Sequence, residues 1–215
     1  KNKTIFLLPG PPRECIPMFE QQVLPSLQKA NFFYPFYSAS WLTLGLSEGS
    51  ISQEIDHLCE KEKTHTPAYC WEYPYLKITL ESERPLQATL FKKMNQRLTA
   101  YTISTRNMDA LQELQHALHN HAQPLLIIGD AAVEKVLQSI PLPLAYASKA
   151  PQSSPLYLKL IIQTIENNVI LLRVEGYQNQ DLCYSHQMQF PNRGPEIEQL
   201  LLHYLAWQST CFLEQ

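Results

Sequence analysis

The sequence predicts an α/β fold of mixed, α+β order: a small β-α-β-β-α-β sandwich followed by a three-layer-like α/β domain. Three observations carry that expectation. Between residues 38 and 104 come a period-2 strand, an amphipathic helix, two adjacent strands, a second amphipathic helix and a β-branched run. Pro124-Leu125-Leu126-Ile127-Ile128 is a continuous apolar run, as a buried parallel strand would be. Residues 157 to 190 read as three strands in a meander, and a helix with an apolar face closes the chain.

Taken in order, Thr4-Ile5-Phe6-Leu7-Leu8 reads as a buried strand that breaks on Pro9-Gly10-Pro11-Pro12 and opens a helix over roughly 13–29. Pro12 suits a first helical position, where its missing N–H costs nothing. Glu14 then falls in the first turn, where the helix dipole favours negative charge. Such a corner can offer backbone N–H groups to an anion. It is also, more plainly, a stiff strand-to-helix connection. Asn31 to Pro35 forms an aromatic hinge. Ser38 to Leu44 alternates small or polar with bulky residues, the mark of a half-buried strand.

Ser47 is a candidate N-cap for a helix carrying Ile51, Ile55 and Leu58 on one face. After a charged loop (61–66), strands are expected at 68–73 and 76–81, joined through Pro74-Tyr75. A helix starting at Arg84-Pro85 repeats Leu86, Leu90, Met94 and Leu98 on one stripe, and 99–104 is a short strand. A further helix spans 107–121, with Leu111, Leu114 and Leu118 facing in. The apolar run breaks at Gly129-Asp130-Ala131-Ala132, and Val133, Val136, Leu137 and Ile140 make the next helix. A strand at 142–146 and a proline- and serine-rich loop at 148–155 precede the meander, whose strands are 157–165, 169–175 and 183–190. The last helix, 195–207, buries Ile197, Leu200, Leu201 and Leu205.

The bulk properties narrow the function classes. A net charge of −3 argues against a general nucleic-acid or membrane-surface binder, which needs a basic face. Only six glycines occur in 215 residues, under half the usual share of about 7%, and no GxGxxG or GxxxxGK is present. That weighs against a nucleotide-handling active site. Five scattered cysteines without a CxxC pair suit free thiols in a reducing cytoplasm. No run of about 18 apolar residues exists, so no membrane span is expected. The chain starts at Lys1, already inside a strand, and reads as a fragment of a longer protein.

Leu8 through Glu20 and Val23 to Leu27 resemble the end of the N-terminal domain of the CinA family, the competence/damage-inducible proteins. Cys15 stands where the family has methionine. That domain is similar to the MoaB/MogA fold, so the resemblance implies three parts. Residues 1–30 are its tail, 36–104 a KH-like module, and 105–215 a domain of the CinA C-terminal type. Gly45 and Glu48 match two positions of the G-I-G-E-S turn that opens the module. No GxxG loop accompanies them, so nucleic acid is not an expected partner. By the same resemblance Pro9, Gly10, Pro11, Pro12 and Glu14 are the candidate ligand-binding residues.

The final segment, Ile170 to Val174 and Phe190-Pro191-Asn192-Arg193 with the helix after it, is similar to the end of the family's C-terminal domain. Active members are nicotinamide-nucleotide amidases carrying E-S-C-T-G-G after the first strand. Here that position reads Gly129-Asp130-Ala131-Ala132-Val133, with no serine and no glycine pair. Tyr146-Ala147-Ser148-Lys149 departs in spacing from the family's Y-S-N-x-x-K. Gln163 to Asn168 lacks the glycines of T-G-I-A-G-P. A serine nucleophile needs an activating base and an oxyanion site of backbone N–H groups, and both are missing at the expected places.

The expectation is a non-catalytic scaffold or dimerisation region for an upstream MoaB/MogA-like domain. No catalytic residue, metal or cofactor is assigned. Homodimers are the expected assembly, with a nucleotide ligand entering only through the upstream domain. The alternative is a nicotinamide-nucleotide amidase or ADP-ribose pyrophosphatase, as in active relatives. Other clusters read as structural: His116, His119 and His121 near a helix end, Asp56 beside His57, and the Cys59 and Cys70 thiols. Arg193 reads as a surface charge or, alternatively, as a domain-specific anchor.

Overall fold

In the computed structural model, the described residues are 4–30, 36–60, 65–120, 125–129, 131–138, 144–147, 156–165, 169–191 and 196–214. The chain divides into two compact units, Lys1–Tyr37 with Glu83–Pro85, and Ser38–Ser82 with Leu86–Gln215.

In the first unit, α1 (Pro12–Met18), a π-helical turn (Phe19–Val23) and α2 (Leu24–Lys29) follow without a break. Pro17 and Pro25 lack the amides that an i→i−4 ladder would use, and the ladder slips into π register between them. The expected strand over Thr4–Leu8 is not there. Residues 4–9 have no regular structure, and Ile5 and Leu7 are 81% and 88% exposed. A strand needs a neighbour to satisfy its backbone groups, and no described strand pairs with this segment. The aromatic hinge at 31–35 lies outside the described residues.

The second unit holds two sheets. The first runs β1 (Tyr37–Leu44), α3 (Glu48–Glu60), β2 (Thr66–Glu72), β3 (Tyr75–Ser82), α4 (Ala88–Leu98) and β4 (Thr102–Ser104). Its sheet order is β2-β3-β1-β4, the split β-α-β plan. Glu72 pairs with Tyr75, so the hairpin closes on Tyr73-Pro74, one residue earlier than expected. The α4 helix begins at Ala88 rather than at Arg84, behind an extended Gln87. At the start of α3, the Ser50 hydroxyl closes the turn. It donates to the Ser47 carbonyl (2.7 Å) and accepts from the Ser47 N–H (3.2 Å).

One face of this sheet packs against α3 and α4 around Trp41, Ile78, Leu80, Ile55, Leu90 and Met94. The other face contributes Leu42, Leu44 and Tyr75 to a second core. The last four residues of β1 are therefore buried on both faces, where alternation predicts half-burial.

The second sheet has the order β6-β5-β7-β8-β9. Strand β5 (Leu126–Ile128) lies parallel to β6 (Ala145–Ala147) and β7 (Leu156–Ile165). Strands β7, β8 (Val169–Gln178) and β9 (Asp181–Pro191) form the antiparallel meander. The β8–β9 connection, expected to lie between residues 175 and 183, is only the two residues Asn179 and Gln180. Asn179 and Gln180 both take positive φ (52° and 75°), which matches the strand twist in a tight hairpin.

Three helices complete the unit: α5 (Ala110–His119), α6 (Ala131–Gln138) and α7 (Ile197–Leu213). Asp109 caps α5 in a capping box with Gln112. The α7 helix is buried nearly all round, from Leu200 to Phe212.

Candidate functional site

The sequence singles out Pro9, Gly10, Pro11, Pro12 and Glu14. They lie together at the start of α1, where the Pro11 carbonyl accepts from the Glu14 and Cys15 amides at 3.0 and 2.9 Å. Pro11 is extended (φ −62°, ψ 126°) and Pro12 takes the first turn, as its fixed φ favours. All but Pro9 are exposed, and Pro9 is half-buried. Glu14 forms an exposed ion pair with Arg13 at 3.5 Å. A carboxylate already occupies the first turn, which disfavours a further anion there.

The β5–α6 corner is where the resemblance implies the nucleophile. Gly129 closes against Val133: a Cβ at Gly129 would lie 2.5 Å from the Val133 Cβ, and Val133 is fully buried. The corner is thus filled by an aliphatic side chain that anchors α6 to the core. Asp130, Ser148, Lys149, Asn167, Asn168, His121 and Arg193 lie outside the described residues. Among the described residues, no group of three metal-ligating side chains converges. His116 and His119 line a shallow hollow at the end of α5, with Gln112, Gln115 and Asn120. All five cysteines are free thiols. Burial, and then the Asp56 charge, push the Cys59 thiol up to about 11, so it stays protonated.

Two clefts lie where the first sheet meets the second. One, of about 270 Å³, is lined by Gly45, Ser50, Trp71, Tyr73, Phe190 and Pro191, among others. At its wall, Gly45 lets the Met188 side chain of β9 come close because it has no side chain of its own. With φ +83°, a Cβ there would meet the Met188 sulfur at 2.4 Å. The other, of about 440 Å³, is polar, with Glu72, Lys77, Asp109 and Gln199 around buried Tyr75 and His203.

The Tyr75 hydroxyl lies 2.5 Å from His203 Nδ1 and accepts from the Ala110 N–H at 3.0 Å. Hydroxyl and Nδ1 share one hydrogen bond, and His203 is held in its neutral form. Burial lowers the His203 pKa, and burial also raises that of Tyr75. Both groups remain uncharged near neutral pH. The pair therefore joins β3, α5 and α7 rather than supplying a charged acid or base. Tyr73 adds to this junction. Its hydroxyl donates to the Glu196 carbonyl (2.9 Å), and its own carbonyl accepts from Gln199 Nε2 (3.4 Å). None of these contacts had a local signal, because the partners are more than 30 residues apart in sequence.

Comparison with known proteins gives a partial match. A competence-damage inducible protein of Alkaliphilus oremlandii is 43% identical over 77 residues, 35% of this chain and 17% of the relative. Its namesake in Clostridium tetani is 38% identical over 76 residues, covering the same shares. That of Caldicellulosiruptor bescii is 35% identical over 101 residues, 45% of this chain and 24% of the relative. Over that segment the chain is similar to competence-damage inducible (CinA) proteins. Its matched segment spans between 17% and 24% of the length of these CinA relatives. No family model matches the sequence. Among solved structures, a formyltetrahydrofolate deformylase from Pseudomonas syringae aligns with a TM-score of 0.26 at 7% identity, too distant to bear on the fold of this chain.

Proposed function

We propose that this chain is a non-catalytic part of a CinA-type protein, a scaffold or dimerisation region that supports an upstream MoaB/MogA-like domain. In this reading, residues 1–30 are the edge of that domain, 36–104 a KH-like module, and 105–215 a degenerate domain of the CinA C-terminal type. The observation that carries it is the β5–α6 corner. Catalysis by a serine needs an exposed nucleophile on an open turn with backbone N–H groups aimed at the developing oxyanion. Here the described part of the turn has no serine, and Val133 fills the space over Gly129.

The opening segment supports the scaffold half of the reading. Ile5, Leu7 and Ile16 are more than half exposed, an apolar surface suited to burial under another domain or chain. The test is incubation of the 215-residue chain with nicotinamide mononucleotide and, separately, with ADP-ribose. No deamidation and no pyrophosphate cleavage above the uncatalysed rate is expected. Robust turnover of nicotinamide mononucleotide would show that the amidase survives on other residues.

A further inference from the structure

The polar cleft of about 440 Å³ lies where β1, β3, α5 and α7 meet, and it is large enough for a small molecule. Its floor is buried, formed by Leu42 and the Tyr75 ring with His203 beside them. Two half-buried charges of opposite sign line it. Lys77 follows Tyr75 by two residues on β3, so both side chains stand on the same face of the sheet. Asp109 caps α5, where one carboxylate oxygen accepts from the Gln112 N–H at 2.8 Å. After the larger effect of burial, its charge also acts on the His203 ring.

Neither charge is neutralised within the protein. Among the described residues, Lys77 and Asp109 form no ion pair, with each other or with any other group. A half-buried charge has lost part of its hydration and gains when an opposite charge is brought beside it. Glu72 also lines the cleft, but it is exposed at the rim, where solvent screens it.

His203 is an independent sign. It is only 8% exposed and its Nδ1 meets the Tyr75 hydroxyl, while its Nε2 has no hydrogen-bond partner among the described residues. That nitrogen is not enclosed; it opens on the cleft that His203 lines. Buried polar groups are nearly always satisfied, so whatever fills the cleft completes the bonding of Nε2.

We propose that this cleft binds a small zwitterion of the ω-amino-acid class, its carboxylate toward Lys77 and its ammonium toward Asp109. Lys77 offers only donors and an ionised Asp109 only acceptors, so the two ends of the ligand are told apart. The protein's two charges stand too far apart to pair with each other. A chain with its own charges at opposite ends bridges them. The methylenes between would lie over Leu42 and the Tyr75 ring, as alkylammonium stems do on apolar surfaces. A carboxylate alone, or an ammonium alone, leaves one of the two protein charges uncompensated.

The experiment is calorimetric titration of the 215-residue chain with 4-aminobutyrate, and with butyrate and butylamine, which carry one of its charges each. Saturable one-site binding of 4-aminobutyrate is expected. The two half-ligands should bind weaker by roughly tenfold or more, the worth of one charged hydrogen bond. Lys77→Gln should remove the advantage of 4-aminobutyrate over butylamine, and Asp109→Asn its advantage over butyrate. Asparagine also caps helices, so the second variant leaves the start of α5 intact. A merely structural role for either residue would leave these preferences in place. The ligand series on the unaltered chain decides even if one variant fails to fold. Absence of saturable binding would overturn the proposal. So would equal binding of either half-ligand, or preferences that survive both substitutions.

Discussion

Tyr75 and His203 are 128 positions apart in sequence, yet their polar atoms meet at 2.5 Å inside the protein. Removing the hydroxyl leaves two buried groups stranded, the Ala110 N–H and His203 Nδ1. An unsatisfied buried group costs about 1–3 kcal/mol, so Tyr75→Phe should lower the unfolding free energy by at least that much in urea titration. A loss below a few tenths would mean that the hydroxyl is not a structural tie. The same pair sets an acid limit. Burial lowers the pKa of His203, and of His186 on β9, so the unfolded chain takes up protons first as pH falls. Their contribution to stability is therefore complete above the unfolded histidine value of about 6.5. It is lost between there and the lowered folded values. His203→Gln, which cannot titrate, should flatten the decline in melting temperature over that window.

Elements were legible in the sequence where one periodicity decided them. Ile51 and Ile55 on α3, and Leu90, Met94 and Leu98 on α4, are all buried as their spacing implies. The spacing failed on α7 for a physical reason. One buried face was expected, but α5 and the second sheet enclose the helix, and His203, Gln208, Ser209 and Thr210 are buried too. A helix covered on all sides carries no amphipathic signature. The opening strand failed in the opposite way, its apolar run being local while a strand's partner is not. Of the candidate site, the proline turn at 9–12 was visible as a motif. The clefts were not, because they form where β1, β3 and β9 approach across the molecule. Gly45 is the element that permits that approach. Gly45→Ala combines a positive φ with a clash against Met188, so it should cost about 1–3 kcal/mol as overpacking and strain do. A thermal melt of the variant measures it, and an unchanged midpoint would show that Met188 moves aside freely.

At the scale of the second unit, the first sheet is a shared wall. Along β1, Trp41 points into the core formed with α3 and α4, while its neighbours Leu42 and Leu44 point into the core formed with α5, α7 and β8. Leu76 and Tyr75 repeat the division on β3. A wall common to two cores couples their unfolding, since neither can open without exposing the other's packing face. The coupling can be read because each core contains its own tryptophan, Trp41 in one and Trp207 in the other. With Trp71→Phe in both backgrounds, Trp207→Phe leaves Trp41 as sole reporter, and Trp41→Phe leaves Trp207. Leu44 belongs only to the second core, and truncating a buried leucine costs about 2–5 kcal/mol. If the unit is cooperative, Leu44→Ala must lower the urea midpoint by the same amount in both backgrounds, including the one whose reporter never touches residue 44's core. A shift confined to the Trp207 reporter would mean that the two cores melt separately. The Tyr75–His203 tie would then act within one half only.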